Sequence, residues 1–477
     1  MKRLLIHAFF VAIASAPSVL RAQAGSGAGG PIVKGPWMQH VTATSAVVRV
    51  EVDPPAPVTL ELGEGAVRGG DSGGPSVVES REHRTLHSIV LSNLAPATRY
   101  AFTVKARGAQ KYGALTTAPP DASGAAFRFL VYGDNRSDDA AHAAVVRAMT
   151  AAPSDFLVHT GDFVERGSST SQWQTFFEIE SPLLRERCVF SAVGNHELVD
   201  GAGVEYVRYF GPSDTAVAET KPAVLSLDQL SGTYRWSNAR FFLVNGMVDY
   251  ASGPTRAWLD KALTDADREA GLVWRIVVVH HGVRSSGPHG DNAHLTEAKI
   301  PDLFRAHHVD LVIAGHDHVY ERGFDDGLAY LVSGGGGAPT YRVKRAQATS
   351  RHYESVRHFV QAAVSTDAIQ LTAIRADGST IERCALRKTT GWDCDDGAAG
   401  AVLDGGPTLP AEPPVTSRSK CGCDVIGASR STPSALACVA LGGAALLARR
   451  RSRRANTSRH SVSCACSRRT SGKAPFC

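Results

Sequence analysis

Five short runs carry side chains suited to metal binding: Gly133-Asp134-Asn135-Arg136, Gly161-Asp162-Phe163-Val164-Glu165-Arg166-Gly167, Gly194-Asn195-His196-Glu197, Val279-His280-His281 and Gly315-His316-Asp317-His318. Carboxylate, carboxamide and imidazole groups together suit ions of intermediate hardness. One such run is uninformative, because Gly-Asp pairs arise by chance and a single surface His is usually only that. Five in succession, each closing an apolar stretch, point to one shared site. Other chemistries lack their signatures. Ser285-Ser286 has no Gly-x-Ser-x-Gly elbow, and neither a P-loop nor a dinucleotide fingerprint is present.

The apolar stretches are Phe127–Tyr132, Phe156–Val158, Val189–Val193, Trp274–Val279 and Val309–Ala314. Their length and composition predict buried strands, with the amphipathic stretches 140–152 and 300–307 as helices between some of them. Residues 126–385 are therefore expected to form a layered α/β catalytic domain with its polar clusters beyond the carboxyl ends of the strands. Gly334–Gly337 follows the strand-like Tyr330-Leu331-Val332 and reads as a tight loop near the site.

Residues 31–119 have a different pattern. Ala46, Val48, Val50 and Val52 alternate with Val47, Arg49, Glu51 and Asp53, and Tyr100, Phe102 and Val104 alternate likewise. This period of two predicts strands with one buried and one mostly polar face. Pro54-Pro55, Gly69-Gly70 and Gly73-Gly74-Pro75 are expected to turn the chain between strands.

The formal net charge of +5 is concentrated at the ends. The first 24 and last 29 residues hold twelve Lys/Arg and no Asp/Glu, leaving 39 basic against 46 acidic residues between them. A general nucleic-acid surface is not indicated. Residues 1–24 read as a secretory signal: Lys2-Arg3, an apolar core, then Ala22-Gln23-Ala24. Export implies an oxidising compartment, where Cys384 and Cys394 are a plausible bridge and Cys188 a buried thiol. Residues 397–420 read as a Gly/Pro-rich linker. Residues 421–454 combine Cys421-Gly422-Cys423, an apolar stretch and an Arg cluster, and 455–477 form a basic tail. The 421–454 segment resembles a myxobacterial C-terminal sorting signal; a plain membrane anchor is the alternative. The expected location is the cell surface or medium, with transient membrane anchoring through the C-terminal segment.

The five runs, in this order, resemble the calcineurin-like metallophosphoesterase superfamily. Gly315 to Arg322, the Gly334–Gly337 run and Ala338-Pro339 resemble its purple acid phosphatase branch. Gly35-Pro36-Trp37-Met38-Gln39 and Leu94 to Tyr100 resemble that branch's fibronectin type III-like N-terminal domain. The resemblance implies a four-layer α/β/β/α sandwich preceded by an all-β sandwich. It also implies two metal ions (Fe, Zn or Mn), with Asp162 shared, Asp134 and His318 on the first, and Asn195, His280 and His316 on the second. Such a pair holds a hydroxide between its ions and neutralises phosphate oxygens. His196 would then stabilise the transition state or protonate the leaving group, with Glu197 orienting it.

The chain departs from the branch at two positions. Glu165 stands where a Tyr ligand is expected, so purple colour should be absent. Arg136 stands where other branches place a His, and a guanidinium cannot ligate; Glu165 or water would have to complete the first ion's shell. Arg166, by a second resemblance to phosphoprotein phosphatases, and Arg136, His281 and His289 are candidates for substrate contact. The implied activity is hydrolysis of a small phosphate ester, foremost a monoester. A phosphodiesterase or nucleotidase on the same site, or an inactive surface-binding protein, are the rivals.

Overall fold

Phe127–Tyr132 becomes a strand because its alternate residues meet two different apolar layers. Phe129 and Val131 face one buried cluster, and Leu130 and Tyr132 face another. This pattern recurs through the catalytic part of the computed structural model, which describes residues 30–63, 77–200, 202–211 and 230–395. The signal (1–24), linker (397–420), sorting segment (421–454) and tail (455–477) lie outside the described residues, as do the two glycine turns near 70. No described helix is long and apolar enough to cross a membrane.

Five N-terminal strands form one sheet: β1 (Ile32–Gln39), β2 (Ala46–Leu62), β3 (Val77–Leu91), β4 (Arg99–Ala106) and β5 (Ala109–Thr116). Two expectations change here. Pro54-Pro55 does not separate two strands: it lies within β2, at a register shift opposite β3. A bulge tolerates residues that cannot donate to the ladder. The polar face of β2 is also not left to solvent, since Val47, Arg49 and Glu51 are buried. Glu51 is bonded by Lys34, by Arg208 (2.6 Å) and by Tyr209 (3.2 Å), and Trp37 Nε1 donates to the Tyr209 carbonyl at 3.2 Å. Arg208 and Tyr209 come from the catalytic layers, so the charged face of β2 docks there. Burial, with Arg208 nearby, lowers the Arg49 pKa to about 10.

The catalytic part opens with β6 (Phe127–Tyr132), α1 (Asp139–Ala151), β7 (Phe156–His159), α2 (Thr170–Leu184), β8 (Cys188–Ser191), α3 (Asn195–Leu198) and α4 (Val204–Phe210). It continues through β9 (Gly232–Trp236), β10 (Ala239–Val244), α5 (Pro254–Asp267), β11 (Trp274–His281), α6 (Ala293–Glu297), α7 (Ile300–Ala306) and β12 (Leu311–Gly315). It closes with β13 (Tyr320–Asp325), β14 (Leu328–Ser333), β15 (Ser350–Glu354), β16 (His358–Val364), β17 (Ile369–Arg375), β18 (Thr380–Arg387) and β19 (Gly391–Cys394). Two seven-stranded sheets result, ordered β19-β18-β17-β16-β6-β7-β8 and β15-β13-β14-β12-β11-β10-β9.

The sheets pack face to face, with Phe129 and Phe156 of one against Phe241 of the other at 5.3 and 5.6 Å between ring centroids. α1 and α2 cover the outside of the first sheet, and α5 and α7 the outside of the second. This gives four layers, α/β/β/α. The strands β6-β7-β8 and β10-β11-β12-β14 are parallel, so their carboxyl ends open on one edge of the sandwich. Cys384 and Cys394 are joined across β18 and β19, and Cys188 is a buried free thiol.

A buried ion pair ties the sheets together. Arg322 on β13 donates from Nε and Nη2 to Glu382 on β18, at 2.8 and 2.9 Å, and Tyr320 adds a third bond at 2.6 Å. Burial works against the charge on Glu382, but Arg322 prevails and holds its pKa below the ordinary value. Glu382→Ala would leave the guanidinium buried and unpaired, an expected loss of about 3–5 kcal/mol at pH 7. A depressed folded-state pKa contributes stability above the unfolded value, and that contribution is lost as pH falls through the folded one. Denaturant midpoints of wild type and variant should therefore differ at neutral pH and converge in strong acid. Equal midpoints at pH 7 would contradict this role.

Candidate metal centre

Five strands bring the polar runs to one edge: β6 leads to Asp134, β7 to Asp162, β8 to Asn195 and His196, β11 to His280, and β12 to His316. Asp134, Asp162 and His316 have left-handed backbone, with φ of 56°, 58° and 68°. Such conformations are uncommon for non-glycine residues and cluster where the surrounding fold enforces them. Each follows a glycine. At Gly315 a Cβ would lie 2.3 Å from Asp134 Oδ2, and at Gly194 a Cβ would lie 2.1 Å from Asp162 Oδ1. These glycines are needed because the carboxylates pass where a side chain would stand.

Three donor atoms lie within 3.3 Å of His280 Nε2. His280 Nε2 is 3.1 Å from Asn195 Oδ1, 3.2 Å from His316 Nδ1 and 3.3 Å from Asp162 Oδ1. His280 Nδ1 donates to the Thr160 carbonyl at 2.9 Å, leaving its Nε2 lone pair toward the cluster when the ring is neutral. Metal bonds of about 2.0–2.2 Å set tetrahedral ligands roughly 3.3–3.6 Å apart, and octahedral ones closer. The three spacings about His280 Nε2 therefore suit ligands of one ion. Asp134, Asp162 and His280 also form a compact group of potential ligands. Asp134 accepts from the His316 backbone N–H at 3.0 Å, and its Oδ1 lies 3.6 Å from His318 Nε2.

Burial and mutual charge shift the ionisable groups of the site. Burial, with Asp162 adding to it, pushes Asp134 up to about 8. Burial also opposes ionisation of Asp162, but His280 overrides it and holds that carboxyl well below its usual range. Desolvation lowers His280, yet Asp162 and Asp134 lift it to about 9. His316 is driven down by burial and by His280. His318 is held at about 4, chiefly by burial, with Arg136 pushing the same way.

Residues 127–320 match the calcineurin-like phosphoesterase family. The chain thus carries a calcineurin-like phosphoesterase domain. Purple acid phosphatase 3 of Arabidopsis thaliana is 26% identical over 217 residues, covering 38% of this chain and 54% of its own length. Purple acid phosphatase PPD1 from yellow lupin superposes with a TM-score of 0.60 at 16% identity, covering 74% of each chain. PhoD superposes with a TM-score of 0.61 at 12% identity, covering 78% of this chain and 93% of its own. These identities speak for the fold alone. The chain spans between half and two thirds of the length of the first curated relatives it matches.

The phosphoesterase domain gives several expected site residues other tasks. The Glu197 carboxylate does not orient the His196 ring. It accepts backbone N–H bonds from Gly194, Asp162 and Phe163 at 2.8–2.9 Å, so it clamps two ligand loops together. His196 Nδ1 donates instead to the Glu165 carbonyl at 2.7 Å, and its Nε2 is 3.8 Å from Asp162 Oδ2. Arg166 does not join the cluster. Its side chain is 64% exposed and pairs with Asp200 at 2.6 Å, because the loop turns its neighbour Glu165 toward Arg136 and Arg166 outward.

His281 donates through Nε2 to the Gly290 carbonyl at 2.9 Å, and its ring lies 4.3 Å from that of His316. His289, also 4.3 Å from the His316 ring, bonds Asp317 at 2.8 Å. Both line the rim beside His316. Asp317 was not singled out by sequence reasoning, although it stands between two candidate ligands. Its buried carboxylate accepts from Ser285 and His289 and so pins the 285–290 loop. Tyr341 was also missed; it stacks on His318 at 4.1 Å.

Proposed function

We propose that this protein is a metal-dependent hydrolase of small phosphate esters, foremost monoesters. The observation that carries this reading is the convergence of Asp162, Asn195, His280 and His316 at the strand ends of a phosphoesterase domain. These residues would hold an ion. A bound divalent ion supplies Lewis-acid polarisation of phosphoryl oxygens and a nucleophile at neutral pH. The protein's own groups supply position. His196 is fixed by its Nδ1 bond to Glu165, so Nε2 faces the cleft, where its protonated form can donate to the leaving oxygen. The backbone N–H of His196 holds Asp162 Oδ1 at 3.1 Å, coupling the acid to the ligand set.

The likeness to an enzyme named an acid phosphatase supports the monoester preference. The Cys384–Cys394 bridge suits the exported location read from the sequence. Full-length protein loaded with Mn²⁺, Zn²⁺ or Fe is expected to hydrolyse an aryl phosphate monoester, faster than the matching diester, and to stop when the metal is chelated. No metal-dependent hydrolysis of any phosphate ester would overturn the reading.

A further inference from the structure

Arg136 stands where the first of two ions would be. Its Nε donates to Asp162 Oδ2 at 3.1 Å, and its Nη1 to Glu165 Oε2 at 2.8 Å and to Ser137 Oγ at 3.1 Å. Its Nη2 is 3.5 Å from His318 Nε2. His318 Nδ1 donates to the Pro339 carbonyl at 2.7 Å, so its Nε2 presents a lone pair toward the guanidinium. Of the groups the resemblance gives a first ion, Asp162 Oδ2 and His318 Nε2 face a side chain that is permanently charged and cannot ligate, as does Glu165, while Asp134 Oδ1 lies 3.6 Å from His318 Nε2. The Arg136 side chain is only 13% exposed, so it is packed into the cleft. This position does not fit an ion. In the other donor set, around His280 Nε2, Asp162 presents Oδ1 at 3.3 Å while its Oδ2 takes the guanidinium, and that set suits an ion.

Charge balance agrees. Asp134, Asp162 and Glu165 face the cleft as potential anions. One divalent ion together with Arg136 neutralises all three. A second divalent ion would leave two surplus positive charges and would lie against the guanidinium, where like charges repel strongly in a medium of low dielectric.

We propose that the Arg136 guanidinium replaces the first ion, so that each chain binds a single divalent ion at Asp162, Asn195, His280 and His316. Arg136 supplies the second positive charge of the site and holds Asp162 Oδ2 in place. This rests on the metal-dependent reading above but departs from the two-ion centre implied by the family resemblance.

The test is metal stoichiometry. Full-length protein is stripped with chelator, loaded with Mn²⁺, desalted, and examined by elemental analysis and electron paramagnetic resonance. Wild type is expected to retain one Mn²⁺ per chain, with the spectrum of an isolated ion. Arg136→His replaces the cation with a ligand and is expected to take up two, with the spectrum of a spin-coupled pair. Arg136→Ala removes the charge without adding a ligand and is expected to admit a second ion at higher free Mn²⁺. A coupled pair in wild type that hydrolyses phosphate esters would overturn the proposal and leave the proposed function standing. Folded Arg136→His and Arg136→Ala proteins that still bind one ion would also overturn it. Wild type with neither bound Mn²⁺ nor hydrolysis would sink both readings. If neither variant folds, the wild-type count alone decides.

Discussion

Asp162→Asn is expected to lower kcat/KM for an aryl phosphate by about 10³-fold or more, roughly 4 kcal/mol of transition-state stabilisation. Asp162 is the one anionic member of the four-donor set; Asn195 and the two imidazoles are neutral ligands. Its two oxygens serve different partners, Oδ1 facing His280 at 3.3 Å and Oδ2 accepting from Arg136 at 3.1 Å. Asparagine keeps the shape but loses the charge, and can offer only one oxygen. The variant should fold, with an unchanged circular dichroism spectrum, and should lose most of its bound metal. Wild-type turnover by Asp162→Asn would remove Asp162 from the chemistry.

His196→Ala is expected to cost about 10²–10⁴-fold in kcat, the usual worth of a positioned acid or base. The loss should depend on the leaving group. A nitrophenolate departs without a proton, whereas an alkoxide needs one, so the variant should suffer more on an alkyl phosphate than on nitrophenyl phosphate. Metal content should stay near the wild-type level, because no His196 side-chain atom is in the four-donor set. Equal losses on both substrates would restrict His196 to stabilising the transition state. No loss on either would exclude it from catalysis.

Much of the site was legible because each candidate ligand follows a short apolar strand, most of them directly after a glycine. That pattern marked the five polar runs, the family resemblance picked Asp134, Asp162, Asn195, His280, His316 and His318 out of them, and the structure brings these residues to one edge of the sandwich. What escaped was set by loop direction. Glu165 and Arg166 are adjacent, yet one turns toward Arg136 and the other toward Asp200 and solvent; spacing alone does not show which. Glu197 looked like a partner for His196, but it accepts from backbone N–H groups of Gly194 and of the Asp162 loop some 34 residues earlier.

The same holds for the fold. The strands with long apolar runs, β6, β7, β8, β11 and β12, stood out from their neighbours. The alternation in β2 was read correctly, but its charged face is buried because α4 supplies Arg208 and Tyr209 as partners. A polar stripe reads as exposed until the element that covers it is known.

Asp162, Asn195, His280 and His316 are expected to gather around an ion. Anomalous diffraction from a crystal soaked in Mn²⁺ tests it directly. A strong peak is expected within bonding distance of Asp162 Oδ1, Asn195 Oδ1, His280 Nε2 and His316 Nδ1. A crystal with no peak there, or with manganese only at surface carboxylates, would contradict it.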